Sequence, residues 1–389
     1  MSEFQYGPLS ADLQPALATI VAESFNFDPE TSKKWMFETG LENWRAVHQG
    51  GTVMAGLMQV PMGQWFGGRE VSMTGIAGVV VSPKARGRGV GQKLIRDSLR
   101  ELRDKGVGLS ALYASTTSFY RRNGYELGGP AYYFTLKLKE IEHRSGGLEI
   151  RDLQGPEFAE AELLQDRCVR QHGALKRGPY LRHRVRRPKG EDTQAVGFFG
   201  ESGLEGYLFY RRASNSQGAN SLHLSDLVLS TPAARETFLG YLAGHRAVFD
   251  TAEWQAAESM PFLADLPEKW NFDLSLMEYW MLRVVDLKAA LESRGYPPGV
   301  HARLSFELLD SVLTENRGVW ELEVAEGRGR LNRTRQAGLS LDAGALASLY
   351  TGFLNASQLQ IAGRLEGSVE ALTTASLIFA GKPVLCDFF

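Results

Sequence analysis

The sequence predicts an α+β protein in three successive parts, and three observations carry that reading. A strand, a basic glycine-rich loop and an amphipathic helix follow one another from Gly75 to Lys105. The same strand, turn and helix order returns from Leu222 to Gly244, with Ser230-Thr231-Pro232 at the turn and no glycines there. Beyond Asp286, alternating strands give way to two helices, each opened by a capping residue, Asp342 and Ser368. At 389 residues the chain exceeds what one hydrophobic core usually supports, so two or three domains are expected. The boundaries are read at 1–145, 146–285 and 286–389.

Composition narrows the class. Apolar residues make up 43% and charged ones 23%, ordinary for a globular chain. A net charge of −2 leaves no surplus of cations for gripping a polyanion, which argues against a dedicated nucleic-acid binder. No apolar run reaches the length of a membrane span, and the N-terminus lacks a basic-then-apolar leader, so a cytoplasmic protein is expected. Cys168 and Cys386 are too few for a zinc site or a disulfide framework, and no metal is expected.

Residues 1–50 read as mostly helical, with Leu13, Leu17, Ile20 and Val21 on one face. A polar connection follows, with Glu23, Asp28 and Glu30 along it, and then Trp35, Phe37 and Trp44. Gly50-Gly51 and Gly67-Gly68 each mark a hairpin between apolar runs. Val71 to Val81 is the central strand; it carries no acidic residue, and Glu70 sits at its outer end.

The stretch that follows, Val79-Val80-Val81-Ser82-Pro83-Lys84-Ala85-Arg86-Gly87-Arg88-Gly89-Val90-Gly91, holds the chemistry. Ser82-Pro83 turns the chain into the loop, and a helix from about Val90 to Lys105 buries Leu94, Ile95, Leu99 and Leu102. Gly106 stops that helix. Amides at a helix start are unpaired and lie at the positive end of its dipole. Gly87, Gly89 and Gly91 have no Cβ, so an anion can approach the backbone, while Arg86 and Arg88 add charge. That combination suits a pyrophosphate, but its spacing is neither a P-loop nor a dinucleotide fingerprint. The plain alternative is a basic turn before a surface helix. Arg-x-x-Gly-x-Gly after a strand and Ser-Pro resembles the coenzyme A motif of GNAT-type N-acetyltransferases.

Leu109 to Tyr113 is the next strand, and Ala114-Ser115-Thr116-Thr117-Ser118-Phe119-Tyr120 leads into a short helix before Gly124-Tyr125. A lone tyrosine is by default a core residue. One strand after a phosphate loop, Tyr120 is also placed to protonate a leaving thiolate, since phenol and thiol have reference pKa values of about 10 and about 8.5. Tyr132 to Lys139 closes the first part, and Ser145-Gly146-Gly147 reads as a linker. In the second part, Pro232-Ala-Ala-Arg-Glu-Thr offers no glycine cradle, so that unit has no equivalent cofactor site. Arg170 to Lys189 holds eight Lys or Arg and no acid, read as a solvated or partner-facing surface. The third part is a set of alternating strands and capped helices ending in Leu385-Cys386-Asp387-Phe388-Phe389, an apolar finish where termini are normally polar.

Taken with the Leu282-Arg-Val-Val-Asp286 junction and the aromatic end at Phe389, these motifs resemble the enhanced intracellular survival (Eis) family of N-acetyltransferases. The resemblance implies tandem GNAT-like acetyltransferase folds, the second degenerate, and a C-terminal sterol-carrier-protein-like domain. It implies acetyl-CoA as cosubstrate, amine acceptors of polyamine or aminoglycoside type, and a homohexamer. By position, Val79, Val80 and Val81 would meet the acetyl-CoA arm, and Arg86, Gly87, Arg88, Gly89, Val90 and Gly91 the pyrophosphate. Ser115 would contact the cofactor, Tyr120 would be the acid, and the terminal carboxylate of Phe389 the base, which suits a central strand without a glutamate. Asp28 and Trp35 would face the acceptor, although Trp35 and Trp44 are equally readable as core. Phe388 stands where family members can carry an acid, and it would adjoin the same site. The alternative is a lipid or small-molecule carrier with a vestigial acetyltransferase part, resting on the third domain. That domain is also readable as a scaffold that presents the C-terminus and builds oligomer contacts.

Overall fold

Glycine turns and apolar alternation set out the first stretch of the computed structural model, which describes residues 4–142, 146–214, 218–258, 260–266 and 268–389. It contains β1 (Gln5–Pro8), α1 (Gln14–Phe25), α2 (Pro29–Glu38), β2 (Trp44–Gln49), β3 (Thr52–Phe66) and β4 (Arg69–Val81). Gly50-Gly51 and Gly67-Gly68 turn the two hairpins, all four with positive φ. Residues 1–50, read as mostly helical, are helical only between two short strands. A four-residue strand is too brief for a period of two to show against the helical pattern beside it. Next come α3 (Val90–Asp104), β5 (Leu109–Tyr113), α4 (Thr117–Arg121) and β6 (Glu126–Lys137).

The second stretch runs through β7 (Glu149–Asp152), α5 (Glu157–Cys168), β8 (Leu175–Lys176), α6 (Pro179–Arg186), β9 (Gln194–Gly200), β10 (Gly203–Ser214) and β11 (Asn220–Leu229). It continues with α7 (Pro232–His245), β12 (Thr251–Ala256) and β13 (Phe272–Val284). The third has α8 (Leu287–Ser293), β14 (Ala302–Leu309), β15 (Gly318–Ala325), β16 (Arg328–Arg333), β17 (Leu339–Asp342) and α9 (Ala343–Thr351). It closes with α10 (Ala356–Ile361), β18 (Leu365–Gly367) and α11 (Val369–Ile378). Asp342 and Ser368 cap α9 and α11 as the sequence predicts, each accepting the N–H three residues on. Ser145, at the start of the expected linker, lies outside the described residues.

By their contacts these elements fall into two compact units. One contains residues 1–129, 279–383 and Phe389; the other contains 130–278 and 384–388. In the first, β1 to β4 are antiparallel neighbours in order, β5 lies parallel to β4, and Trp280–Val284 of β13 lies antiparallel to β5. Helix α3 packs Leu94, Ile95, Leu99 and Leu102 into a core with Leu57, Ile76, Leu112 and Met281. Each such burial contributes about 1.5–3 kcal/mol before entropy is charged. A separate sheet runs β16-β15-β14-β17-β18, and α9, buried at every residue, belongs to the same unit. The junction Leu282–Asp286 has a structural reason. Arg283 forms an ion pair with Asp310 at 2.6 Å, each side chain 1% exposed, and Asp286 caps α8. Losing one member of such a buried pair typically costs about 3–5 kcal/mol.

The other unit repeats the first arrangement. Its antiparallel order is β7-β9-β10-β11, β12 is parallel to β11, and Tyr132–Lys137 of β6 is antiparallel to β12. The basic run Arg170–Lys189 is not the solvated face that the sequence suggests. Arg182 pairs with Glu162 at 2.6 Å and Asp166 at 3.1 Å, Arg186 with Glu162 at 2.6 Å, and Lys176 with Asp166. Arg177 is drawn inside, between Asp226 at 2.6 Å and Asp387 at 2.8 Å. These acids come from elsewhere in the chain, so the run itself gives no sign of them.

Candidate active site

The site is built where β4 changes its partners. Strands β4 and β5 pair over three positions, Met73–Gly75 with Leu109–Ala111. Beyond Gly75 that ladder ends; β4 continues against β3, and Leu112 and Tyr113 of β5 pair only with β13. In the same place the β3–β4 register slips, because Gly56 to Met58 spans two steps while Val80 to Ala77 spans three. The extra residue is a bulge on β4, and Gly78 in it has φ +59°. A bulge in a strand that has lost one neighbour leaves backbone N–H groups available to an acyl oxygen.

At the end of β4 the glycine-rich loop behaves as the sequence suggests for two of its three glycines. Gly87 and Gly89 have φ of +74° and +78°, and a Cβ on either would meet nothing within 4 Å. Both positions therefore open outward. Gly89 is the N-cap of α3 and no side chain caps that helix, so its first amides have no side-chain partner. Gly91 differs from the expectation. Its missing Cβ faces Val81 Cγ2 at 3.3 Å and Phe119 at 3.4 Å, so its side of the residue serves helix packing and only its amide is left for an anion. Val80 and Val90 are buried at 2% and 1%, which likewise leaves only their backbones, while Val79 and Val81 are half-buried. Arg86 is exposed; Arg88 donates to Gln49 Oε1 at 3.1 Å and lies over the Phe4 ring. A diphosphate fits this set: open positive-φ glycines, uncapped first-turn amides and exposed guanidinium groups.

Tyr120 sits on α4 with its ring edge-on to Phe119 and Tyr125, 6% exposed and within the same core as α3. Burial pushes its phenol up to about 12, so it is protonated throughout the physiological range. Ser115 is exposed on the bend between β5 and α4. Phe389 is buried in this unit: a Cβ at Gly75 would stand 2.6 Å from its ring, and the Tyr113 ring lies 5.5 Å away. The terminal residue thus rests on the last paired position of β4, where the ladder to β5 ends. Phe388 does not share those surroundings. It is 39% exposed in the other unit, with Arg184 over its ring at 5.7 Å.

Asp28 is occupied as a helix cap, accepting from Glu30 N at 3.0 Å and Thr31 N at 2.9 Å, and its hydrogen bonds to Thr31 hold its carboxyl below the usual range. Trp44 is core at 0% exposure, whereas Trp35 is half-buried. Trp35 meets Phe25 at 5.9 Å, Phe27 at 6.1 Å and Trp44 at 5.3 Å, and its ring lies 2.9 Å from where a Gly78 Cβ would be. Phe25 and Phe27, 42% and 40% exposed, complete an aromatic wall beside the bulge. Sequence reading missed Phe25, Phe27, Gly75 and Tyr113. An isolated glycine inside a strand, as at Gly75 and Gly78, was the available signal for a bulge or a close approach. Among the described residues, no group of His, Cys, Asp and Glu is placed to hold a metal ion.

Comparison with known proteins agrees with this layout. Residues 5–128 and 173–284 each match a model described as an acetyltransferase (GNAT) domain, and 287–387 match a sterol carrier protein domain. A GCN5-related N-acetyltransferase from Anabaena variabilis superposes with a TM-score of 0.94 at 31% identity, covering 100% of both chains. The N-acetyltransferase Eis of Mycobacterium tuberculosis is 26% identical over 383 residues, 90% of each chain. Eis1 from Mycobacterium abscessus, at 20% identity and a TM-score of 0.80 over 99% of this chain and 100% of its own, shares the fold.

Proposed function

The chain belongs to the GCN5-related N-acetyltransferases and resembles the Eis enzymes among them, and from that premise we propose that it moves an acetyl group from acetyl-CoA to an amine of a polyamine or aminoglycoside-like acceptor. Val79 to Val81 and Ser115 hold the acyl arm, and Arg86 to Gly91 hold the diphosphate, through their backbones and the two arginines. Trp35, Phe25 and Phe27 wall the acceptor. Asp28 keeps its cap and lends that edge a negative charge.

The observation that carries this reading is the seat of Phe389 against Gly75, in the same unit as the loop and Tyr120. An amine attacks only when neutral, and an ammonium of pKa about 10 is about three units from neutral at pH 7, roughly 4 kcal/mol of barrier. The Phe389 carboxylate takes that proton. A free α-carboxylate has pKa about 3.5, which leaves direct transfer uphill by roughly 9 kcal/mol. Desolvation of the carboxylate beside the rings of Phe389 and Tyr113 would narrow this gap, and a relaying water would shorten the path of the proton without changing the difference. The nitrogen lone pair then bonds to the thioester carbon, and amides at the bulge receive the oxyanion. The carbon–sulfur bond breaks as Tyr120 gives its proton to the thiolate, while the second proton of the acylated nitrogen leaves to solvent, from which the phenolate is reprotonated. With its phenol at about 12, Tyr120 is a weaker acid than free tyrosine. A thiol desolvated beside it would also be raised, which narrows the difference between the two.

Adding a short Gly-Ser tail after Phe389 tests the base. Turnover should fall by about two orders of magnitude, within the range of general-base contributions, while coenzyme A binding is kept; undiminished turnover rules out the terminal carboxylate. The sterol-carrier match favours a second reading, a lipid or small-molecule carrier. Against it, the unit packs Arg294, 1% exposed, among the rings of Phe66, Tyr296, Tyr350 and Phe379 at 4.4–5.5 Å. A charged group there suits a scaffold better than a lipid cavity. Failure of the wild-type protein to acetylate any diamine from acetyl-CoA would restore the carrier reading. The assembly is a homohexamer acting in the cytoplasm, and light scattering of the purified protein at a monomer mass would count against the oligomer. Among the described residues, no helix is long and apolar enough to cross a membrane.

A further inference from the structure

The second unit lacks a glycine cradle, yet it contains a cavity of about 690 Å³, within the range of small-molecule sites. Its walls are largely apolar, with Leu224, Leu227, Trp254 and Met260 among them. Its charge is one-sided. Among the described residues the lining holds five Arg and Lys, at 177, 184, 189, 211 and 235, against two Asp, at 226 and 387. Arg177 is neutralised by both aspartates, Arg211 by Glu191 and Arg235 by Asp265. Arg184 and Lys189 are left over. Arg184 donates to the Tyr180 hydroxyl at 3.3 Å and lies over Phe388, and neither cation has a carboxylate partner among the described residues. Two uncompensated cations at an apolar cavity are complementary to a molecule with the opposite character.

We propose that this cavity binds an amphipathic anion, a carboxylate or phosphate on an apolar body, with Arg184 and Lys189 taking the anionic group and the walls near Trp254 and Met260 the apolar part. Phe388 and Asp387 also line the cavity, and Phe389 follows them in the chain. The occupant is a ligand of the second unit itself, where all of these lining residues lie.

The test is calorimetry on the full-length protein without acetyl-CoA, so it stands apart from the acetyltransferase reading. Decanoate is the probe and decyltrimethylammonium the charge-reversed control. Decanoate should bind, more weakly as salt is raised, and the control should not. The double variant Arg184→Gln, Lys189→Gln should bind decanoate about tenfold or more weakly, as loss of charge-assisted hydrogen bonds requires, with an unchanged thermal melt. The variant also separates this cavity from any decanoate site in the sterol-carrier-like region. Equal binding of both probes, unchanged affinity in the double variant, or no decanoate binding at about 1 mM, a free energy near −4 kcal/mol, each overturns the proposal.

Discussion

Tyr120 and Gly75 show how single residues set this site. The folded-state pKa of Tyr120, about 12, lies above the 10.0 of a free phenol, so the folded state holds the proton more tightly. That contribution is complete below pH 10 and is lost as pH rises from about 10 to about 12, worth roughly 2–3 kcal/mol. Urea unfolding at pH 9 and pH 11.5 should therefore show a larger loss for the wild type than for Tyr120→Phe; equal losses would deny the shift. The same variant should lower kcat by about 100-fold or more, as removal of a general acid does. At Gly75, a Cβ would sit 2.6 Å from two ring atoms of Phe389 and 2.9 Å from Met62 Cε. Gly75→Ala should displace the terminal residue and lower kcat about 100-fold, since a misplacement near 1 Å has that cost. Its coenzyme A affinity should stay within about twofold, because the loop is untouched. A parallel loss of affinity would mean the change unseats the strand instead.

At the scale of elements, the loop and the start of α3 work as one device. Gly89 is both the N-cap of that helix and an outward-facing residue of positive φ. Gly89→Ala should cost about 1–2 kcal/mol of stability from its backbone conformation alone. It should also weaken coenzyme A by about tenfold or more, measured by titration calorimetry, because the new methyl stands before the amides. Unchanged affinity would place the diphosphate elsewhere. The capped helices of the third part and the hairpin glycines were legible because their signals are local: a side-chain oxygen three residues before an amide, or two glycines between apolar runs. The short strands flanking α1 and α2 were not, because four to six residues leave no period to read.

For the whole molecule, the strand ladder of each unit depends on a strand supplied from afar in the sequence. The first unit closes β5 with Trp280–Val284, and the second closes β12 with Tyr132–Lys137. A fragment ending at residue 145 therefore leaves β5 with an unpaired edge of apolar residues. Expressed alone it should be aggregated or lack a cooperative melt, and a soluble, cooperatively folded fragment would show that the exchange is dispensable. The boundary read at 145 follows the chain, whereas the compact units follow the pairing.

Read without a structure, the chain specifies its hairpin glycines, the glycine-rich loop ahead of α3, the caps of α9 and α11 and a second unit with no glycine cradle, because each rests on residues adjacent in sequence. Long-range packing is what gives Gly91 to the helix contact, sends Phe388 and Phe389 to different surroundings, and buries Arg177 between two aspartates. It also brought Phe25 and Phe27 to Trp35 beside the bulge. Those outcomes depend on partners far apart in sequence, whose meeting is set by strand register and sheet exchange rather than by any local pattern.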